Sequence, residues 1–169
     1  MKKIICVFLL LACLFSLAAC AEEPEIPESA VTVYYRRSAL TYGTADGVIA
    51  PGYLDAAGHE NDYFYLINQY LKTQPDSEFA TTFPLGLTLV SFSLEALTAK
   101  VVVSNRMAAF SGLDLAIACT CLTETIMSLT GCQEVIISAE STTLGGQNFI
   151  TLSKDSYLLL DSSGSTTNG

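Results

Sequence analysis

The hydrophobic pattern of the chain changes abruptly near its start. Lys2 and Lys3 precede an apolar block from Ile4 to Ala19, the block stops at Cys20, and Ala21 to Ala30 then carries Glu22, Glu23, Glu25 and Glu28 spaced by Pro24 and Pro27. Cations, a short apolar run and small residues at its end form the outline of a secretory signal. The block holds about 16 residues, short of the roughly 20 that a membrane-spanning helix needs, so a permanent span is disfavoured. The acidic, proline-rich stretch after it buries nothing and predicts an extended, solvated tether.

Regular patterning begins where the tether ends. Val31-Thr32-Val33-Tyr34-Tyr35 is β-branched and aromatic and predicts a first strand. Thr44 to Gly47 is a turn signal, and Val48 to Leu54 predicts a returning strand crossed by Pro51-Gly52. Phe64, Ile67 and Leu71 recur at helical spacing, with Asp62 in the first turn and Pro75 beyond the end, which predicts a first helix. Leu87 to Leu94 and Ala99 to Ser104 read as a hairpin through a short link at Glu95 to Thr98. The longest helix signal runs from Ser111 to Leu129: Ser111 and Asp114 have capping-box spacing, Leu115, Cys119, Leu122, Ile126 and Leu129 share one face, and Gly131 is placed to end it. Glu134 to Ala139, Phe149 to Leu152 and Tyr157 to Leu160 read as further strands, with Gly145-Gly146 as a turn.

Strands paired as hairpins with two amphipathic helices between them predict an α+β fold, both helices packed on one face of a mostly antiparallel sheet. The predicted organisation is a signal over 1–19, a tether over 20–30, a single domain over 31–161 and a disordered polar tail over 162–169. No solenoid repeat is visible.

Two processing routes fit the seam at Cys20. Ala19-Cys20-Ala21 serves as an A-x-A site for ordinary cleavage, or Leu17-Ala18-Ala19-Cys20 resembles the lipobox of bacterial lipoproteins, in which the thiol receives a diacylglyceryl group. The lipobox reading is preferred, because a thiol can be alkylated and a tether follows it at once. It assigns lipid attachment to Cys20 and the outer face of the cytoplasmic membrane as the location. Leu10-Leu11-Ala12-Cys13 is a weaker second lipobox, because the apolar run continues past it.

Charge then narrows the partners. The chain has 17 acidic residues against eight Lys and Arg, and removal of the signal takes two of the lysines. Such a surface repels nucleic acid and anionic lipid headgroups, so membrane attachment has to come from acyl chains. Of six cysteines, Cys119, Cys121 and Cys132 lie outside the signal and the seam, an odd number for a disulfide framework. They read as small buried apolar residues, with a bridge from Cys132 to one of the other two left open.

Candidate chemistry is sparse. His59 is the single histidine, in a Gly58-His59-Glu60 loop without a nucleophile elbow nearby, and reads as a solvated loop residue. No metal-ligand spacing and no phosphate-cradling glycine loop is present, so neither a metal nor a cofactor is implied. No carboxylate pair of the glycan-cleaving kind is singled out: Glu124 turns away from the Leu122 face and Asp114 fits a helix start. Tyr63, Tyr65 and Tyr70 on the first helix are the candidate contact surface, with packing at the rim of the core as their commoner fate.

From residue 65 onward the order of segments resembles the GerM sporulation and spore-germination (GerMN) domain. "YLKTQPDSEFATTFPLGLTL" resembles the family's helix end, proline turn and strand entry, here Pro84, Gly86 and Leu89. "KVVVSN" resembles its next strand, and "SGLDLAIACTCLTETIMSLTGCQEVIIS" its long helix, glycine stop and last strand, with Thr125-Ile126 in the family's Thr-Leu place. Gln74-Pro75 stands where the family usually has Gly-Pro, and Cys132 replaces a frequent valine. The resemblance implies a non-enzymatic module akin to ring-building motifs, without catalytic residues to carry over. It implies a membrane-anchored protein whose partners are envelope or sporulation-complex proteins, with peptidoglycan a further candidate. A cell-wall hydrolase or its accessory, or a small-ligand-binding lipoprotein, are the alternatives.

Overall fold

A computed structural model describes residues 26–38, 47–73 and 78–154. The signal, Cys20, most of the tether, most of the Thr44–Gly47 turn, Pro75, the Tyr157–Leu160 strand and the tail lie outside the described residues. The elements are β1 (Ala30–Arg36), β2 (Ile49–Asp55), α1 (Tyr63–Lys72), β3 (Leu89–Glu95), β4 (Thr98–Val103), a 3-10 turn (Asn105–Ala109), α2 (Gly112–Thr130), β5 (Glu134–Ala139) and β6 (Ile150–Ser153). The α+β expectation holds, with one refinement in the sheet. The strands divide into an antiparallel pair, β1-β2, and a four-stranded sheet in the order β3-β4-β5-β6. Within the latter, β4 and β5 run parallel and the other pairs antiparallel. The parallel pair follows from the chain passing through α2 between β4 and β5, a crossover that a tight hairpin cannot make.

Alternation sorts the four strands into two faces. Ala99, Val101 and Val103 of β4 and Val135, Ile137 and Ala139 of β5 are buried, and α1 and α2 lie over this side, α1 on β3 and α2 on β5 and β6. The opposite face carries Ser91, Ser93, Glu95, Lys100 and Thr151, all exposed, and needs no cover. By length and composition α2 could cross a membrane, with a mean hydropathy of 1.4. Leu115, Ile117, Ala118, Leu122 and Ile126 are instead buried in the protein, because β1 packs on the helix in addition to β5 and β6. It is apolar around most of its circumference because it is a core helix packed against strands of both sheets. Gly131 ends it in the left-handed conformation at φ 71°, as expected.

Pro51-Gly52 does not break β2, and the register shows why. Tyr34 stands opposite Pro51 and directs its backbone groups away from β2, so the proline ring replaces an N–H that would have had no ladder partner. A Cβ at Gly52 would come within 3.0 Å of the Tyr35 ring, so glycine lets that ring cross the strand.

The outer edge of β1 is closed by side chains. Tyr34 N–H donates to Thr125 Oγ1 of α2 at 2.9 Å, Thr125 hydrogen-bonds the Tyr70 hydroxyl of α1, and that hydroxyl donates to the Tyr34 carbonyl. Three groups form a ring in which each is satisfied. Arg36 N–H donates to Thr82 Oγ1 at 3.0 Å, and Ala80 N–H donates to the Arg36 carbonyl at 2.9 Å. The edge is therefore covered at Tyr34 and Arg36, the half of the strand nearest its end.

Two details of the helices depart from expectation. Tyr70 is fully buried, against Tyr35 and Phe83 at ring-centroid distances of 5.3 and 5.1 Å, whereas Phe64 is 44% exposed. The buried stripe of α1 is Leu66, Ile67, Tyr70 and Leu71, so Tyr70 is not part of a contact surface. Ser111 makes no capping hydrogen bond with its side chain, and Asp114 pairs with Arg36 at 2.6 Å instead. That pair is solvent-exposed and contributes at most about 1 kcal/mol.

Thr125 and Thr123 lie two residues apart on α2, both fully buried, but Thr123 Oγ1 has no hydrogen-bond partner among the described residues. Replacing a satisfied buried hydroxyl strands its partners, whereas replacing an orphaned one removes a penalty. Thr125→Val is expected to destabilise the protein by about 2 kcal/mol and Thr123→Val to stabilise it by about 1 kcal/mol, as read by urea unfolding. Equal effects of the two isosteric substitutions would dissolve the distinction between them.

Candidate contact surface

The surface residues of interest gather around the start of α1. Asp62 begins the helix by accepting the Tyr65 N–H at 3.0 Å, and its other oxygen lies 4.0 Å from His59 Nδ1. The His59 ring stacks on Tyr65 with centroids 3.6 Å apart and planes 14° from parallel. Tyr65 Oη also accepts from Gln69 Nε2 at 3.0 Å. Tyr63 meets Phe92 of β3 edge-on at 6.1 Å. Both tyrosines are half-buried and internally engaged, yet each keeps an accessible side.

Beside them is an open hollow of about 510 Å³, lined by Gly58, His59, Glu60, Asn61, Asp62, Tyr63, Phe64 and Phe92. Its apolar floor comes from Phe64 and Phe92, neither of which the sequence marked as a surface candidate. On a helical wheel Phe64 and Tyr70 stand about 60° to either side of Ile67, so periodicity alone does not say which of them faces the core.

His59, Glu60 and Asp62 meet in this hollow, the place where hydrolytic chemistry would have to reside. Their hydrogen bonds are local. Glu60 Oε1 accepts the Gly58 N–H at 3.0 Å, and its own amide together with that of Gly58 holds its carboxyl below the ordinary range. An easily ionised carboxyl is poorly suited to donate a proton at neutral pH. Among the described residues, no group of His, Cys, Asp and Glu is arranged to hold a metal ion. Glu124 is half-buried and lies near Tyr34, whose phenol is raised by burial and by that carboxylate. This arrangement gives no positive sign of catalysis.

Cys119, Cys121 and Cys132 are free thiols, all buried, so the bridge left open by the sequence is not formed. Burial pushes Cys119 up to about 12 and Cys121 higher still. A thiol whose folded pKa lies above its unfolded value stabilises the fold fully below the unfolded value, near 9, and loses that contribution as pH rises toward the folded one. Stability should therefore fall between about pH 9 and 12, and at pH 8 the three thiols should react with a thiol dye only as the chain unfolds. Rapid labelling of Cys119 or Cys121 in the native protein at pH 8 would show that the α2 core opens.

No protein-family model and no curated protein matches the sequence. The fold is similar to that of the tandem GerMN domains of the sporulation protein GerM from Bacillus subtilis, with a TM-score of 0.52 at 16% identity over 72% of this chain. The match spans 43% of that structure, less than half of its tandem arrangement. A candidate lipoprotein from Clostridium perfringens aligns with a TM-score of 0.47 at 14% identity, over 74% of this chain and 87% of that one. The described chain thus has a GerMN-like α+β fold, two helices against a mixed, mostly antiparallel sheet.

Proposed function

We propose that this chain is a lipid-anchored extracytoplasmic protein whose GerMN-like domain acts without chemistry of its own, by contact, in assembling an envelope complex during sporulation or germination. The observation that carries the reading is the seam in the sequence, where a cationic start and an apolar block end at Leu17-Ala18-Ala19-Cys20 and an acidic tether follows. Thiol acylation there confines the domain to the membrane surface and raises its effective concentration near partners in the same layer. The fold supports a sporulation context by its likeness to GerM domains, and the locally engaged His59, Glu60 and Asp62 favour contact over hydrolysis. Envelope proteins are the first partners in this reading and peptidoglycan the second. An acidic chain disfavours nucleic acid.

Metabolic labelling with a fatty acid tests the anchor. Wild-type protein is expected to incorporate label and to sediment with membranes, and Cys20→Ala to lose the label and appear in the medium. Label retained by the variant rejects Cys20 as the attachment point.

A further inference from the structure

The four-stranded sheet ends differently on its two sides. β6 has four residues, whereas β3 has seven and pairs only with β4 among the described residues. The register fixes which backbone groups of β3 are left over. Glu95 and Thr98 flank a two-residue turn. Leu97 and Val103 accept hydrogen bonds from the β5 side, and Ser104 N–H donates to the Thr88 carbonyl. Successive residues of a strand point their N–H and C=O groups to opposite sides. Ser91, Ser93 and Glu95 therefore bond to β4, and Phe92 and Leu94 present theirs outward. The bulge at Val90 leaves Ser91–Glu95 regular, and the stretch has neither the proline nor the lysine that commonly blunt such an edge.

The hollow described above adjoins this edge, since Phe92 belongs to both. A strand added to β3 would lie about 4.8 Å away and place every second side chain on the helix-covered face, against Phe92 and Phe64. The hollow's rim carries the carboxylates of Glu60 and Asp62, and neither Lys nor Arg lines it. A second copy of this chain would bring Ser91–Glu95, which contains no cation, together with its own net charge of −9, to an already acidic edge.

We propose that the β3 edge and the adjoining hollow form a docking site for an extended, basic segment of a partner protein. That segment adds as a strand to Phe92 and Leu94, seats an apolar side chain on Phe64 and Phe92, and brings Lys or Arg to Glu60 and Asp62. The proposal rests on the reading of the domain as a contact module and names where contact occurs and with what chemistry.

The test uses the full chain in mild detergent and three seven-residue peptides: alternating Lys and Val, alternating Glu and Val, and a Lys-Val peptide of alternating chirality that cannot form a strand. Backbone amide exchange is followed by NMR. The all-L Lys-Val peptide is expected to slow exchange at Phe92 and Leu94 about tenfold or more, and the other two to leave it unchanged. Leu94→Pro removes an outward N–H at a site equivalent to Pro51 in β2 and should abolish the effect with the fold intact. Phe64→Lys, on an exposed helix position, should abolish it independently. Equal protection by the Glu-Val peptide, no protection by the Lys-Val peptide, or protection that grows with protein concentration alone would each overturn the assignment. Fatty-acid labelling is read separately, so a failure here with label intact removes this surface and leaves the anchored reading standing.

Discussion

The arrangement depends on closing the outer edge of β1. β2 satisfies one side of that strand, and on the other the half-buried backbone groups of Tyr34 and Arg36 would be left unpaired. Side chains from both helices meet it: Thr125 accepts from Tyr34 N–H, and Tyr70 donates to the Tyr34 carbonyl. A backbone group buried without a partner costs about 1–3 kcal/mol, so this ring of hydroxyls joins the two-stranded ribbon to the helices in one relative position. Dispersive packing alone would tolerate a slide of the helices along the strand, because apolar contacts lack direction.

Magnitudes rank the contacts that hold the rest. Leu122 and Ile126, fully buried on α2, represent about 2–5 kcal/mol each against truncation to alanine. The exposed Arg36–Asp114 and Glu95–Lys100 pairs contribute at most about 1 kcal/mol each. Each buried side chain of the core helix outweighs either surface pair, and the polar ring supplies position. Burial of Cys119 and Cys121 fits this division, because a neutral cysteine packs as a small apolar residue and the raised pKa of each keeps it neutral.

The outer strands of the two sheets, β1 and β3, have edges of unequal character. The β1 edge is covered by Thr125, Tyr70, Thr82 and Ala80. The β3 edge ends beside an aromatic hollow with an acidic rim. In the proposed reading of the domain as a contact module, a strand edge offers directional hydrogen bonds that a smooth acidic surface does not.

Local pattern was enough to place the elements. Alternation located β1, β3, β4 and β5 to within a few residues, and the long apolar period with Gly131 at its end located α2, because period and capping are set by nearest neighbours in the chain. The seam at Cys20 is likewise legible only as sequence. The pattern could not tell that β4 and β5 run parallel, since strand direction depends on the path of the crossover, nor that Asp114 would turn to Arg36 rather than back to Ser111. It was also silent on Phe64 against Tyr70, which flank Ile67 symmetrically on the wheel of α1. Only the folded molecule chose: Tyr70 has a hydroxyl for which β1 and Thr125 supply partners, so it can be buried whole, and Phe64, on the other flank, is left facing the solvent beside β3.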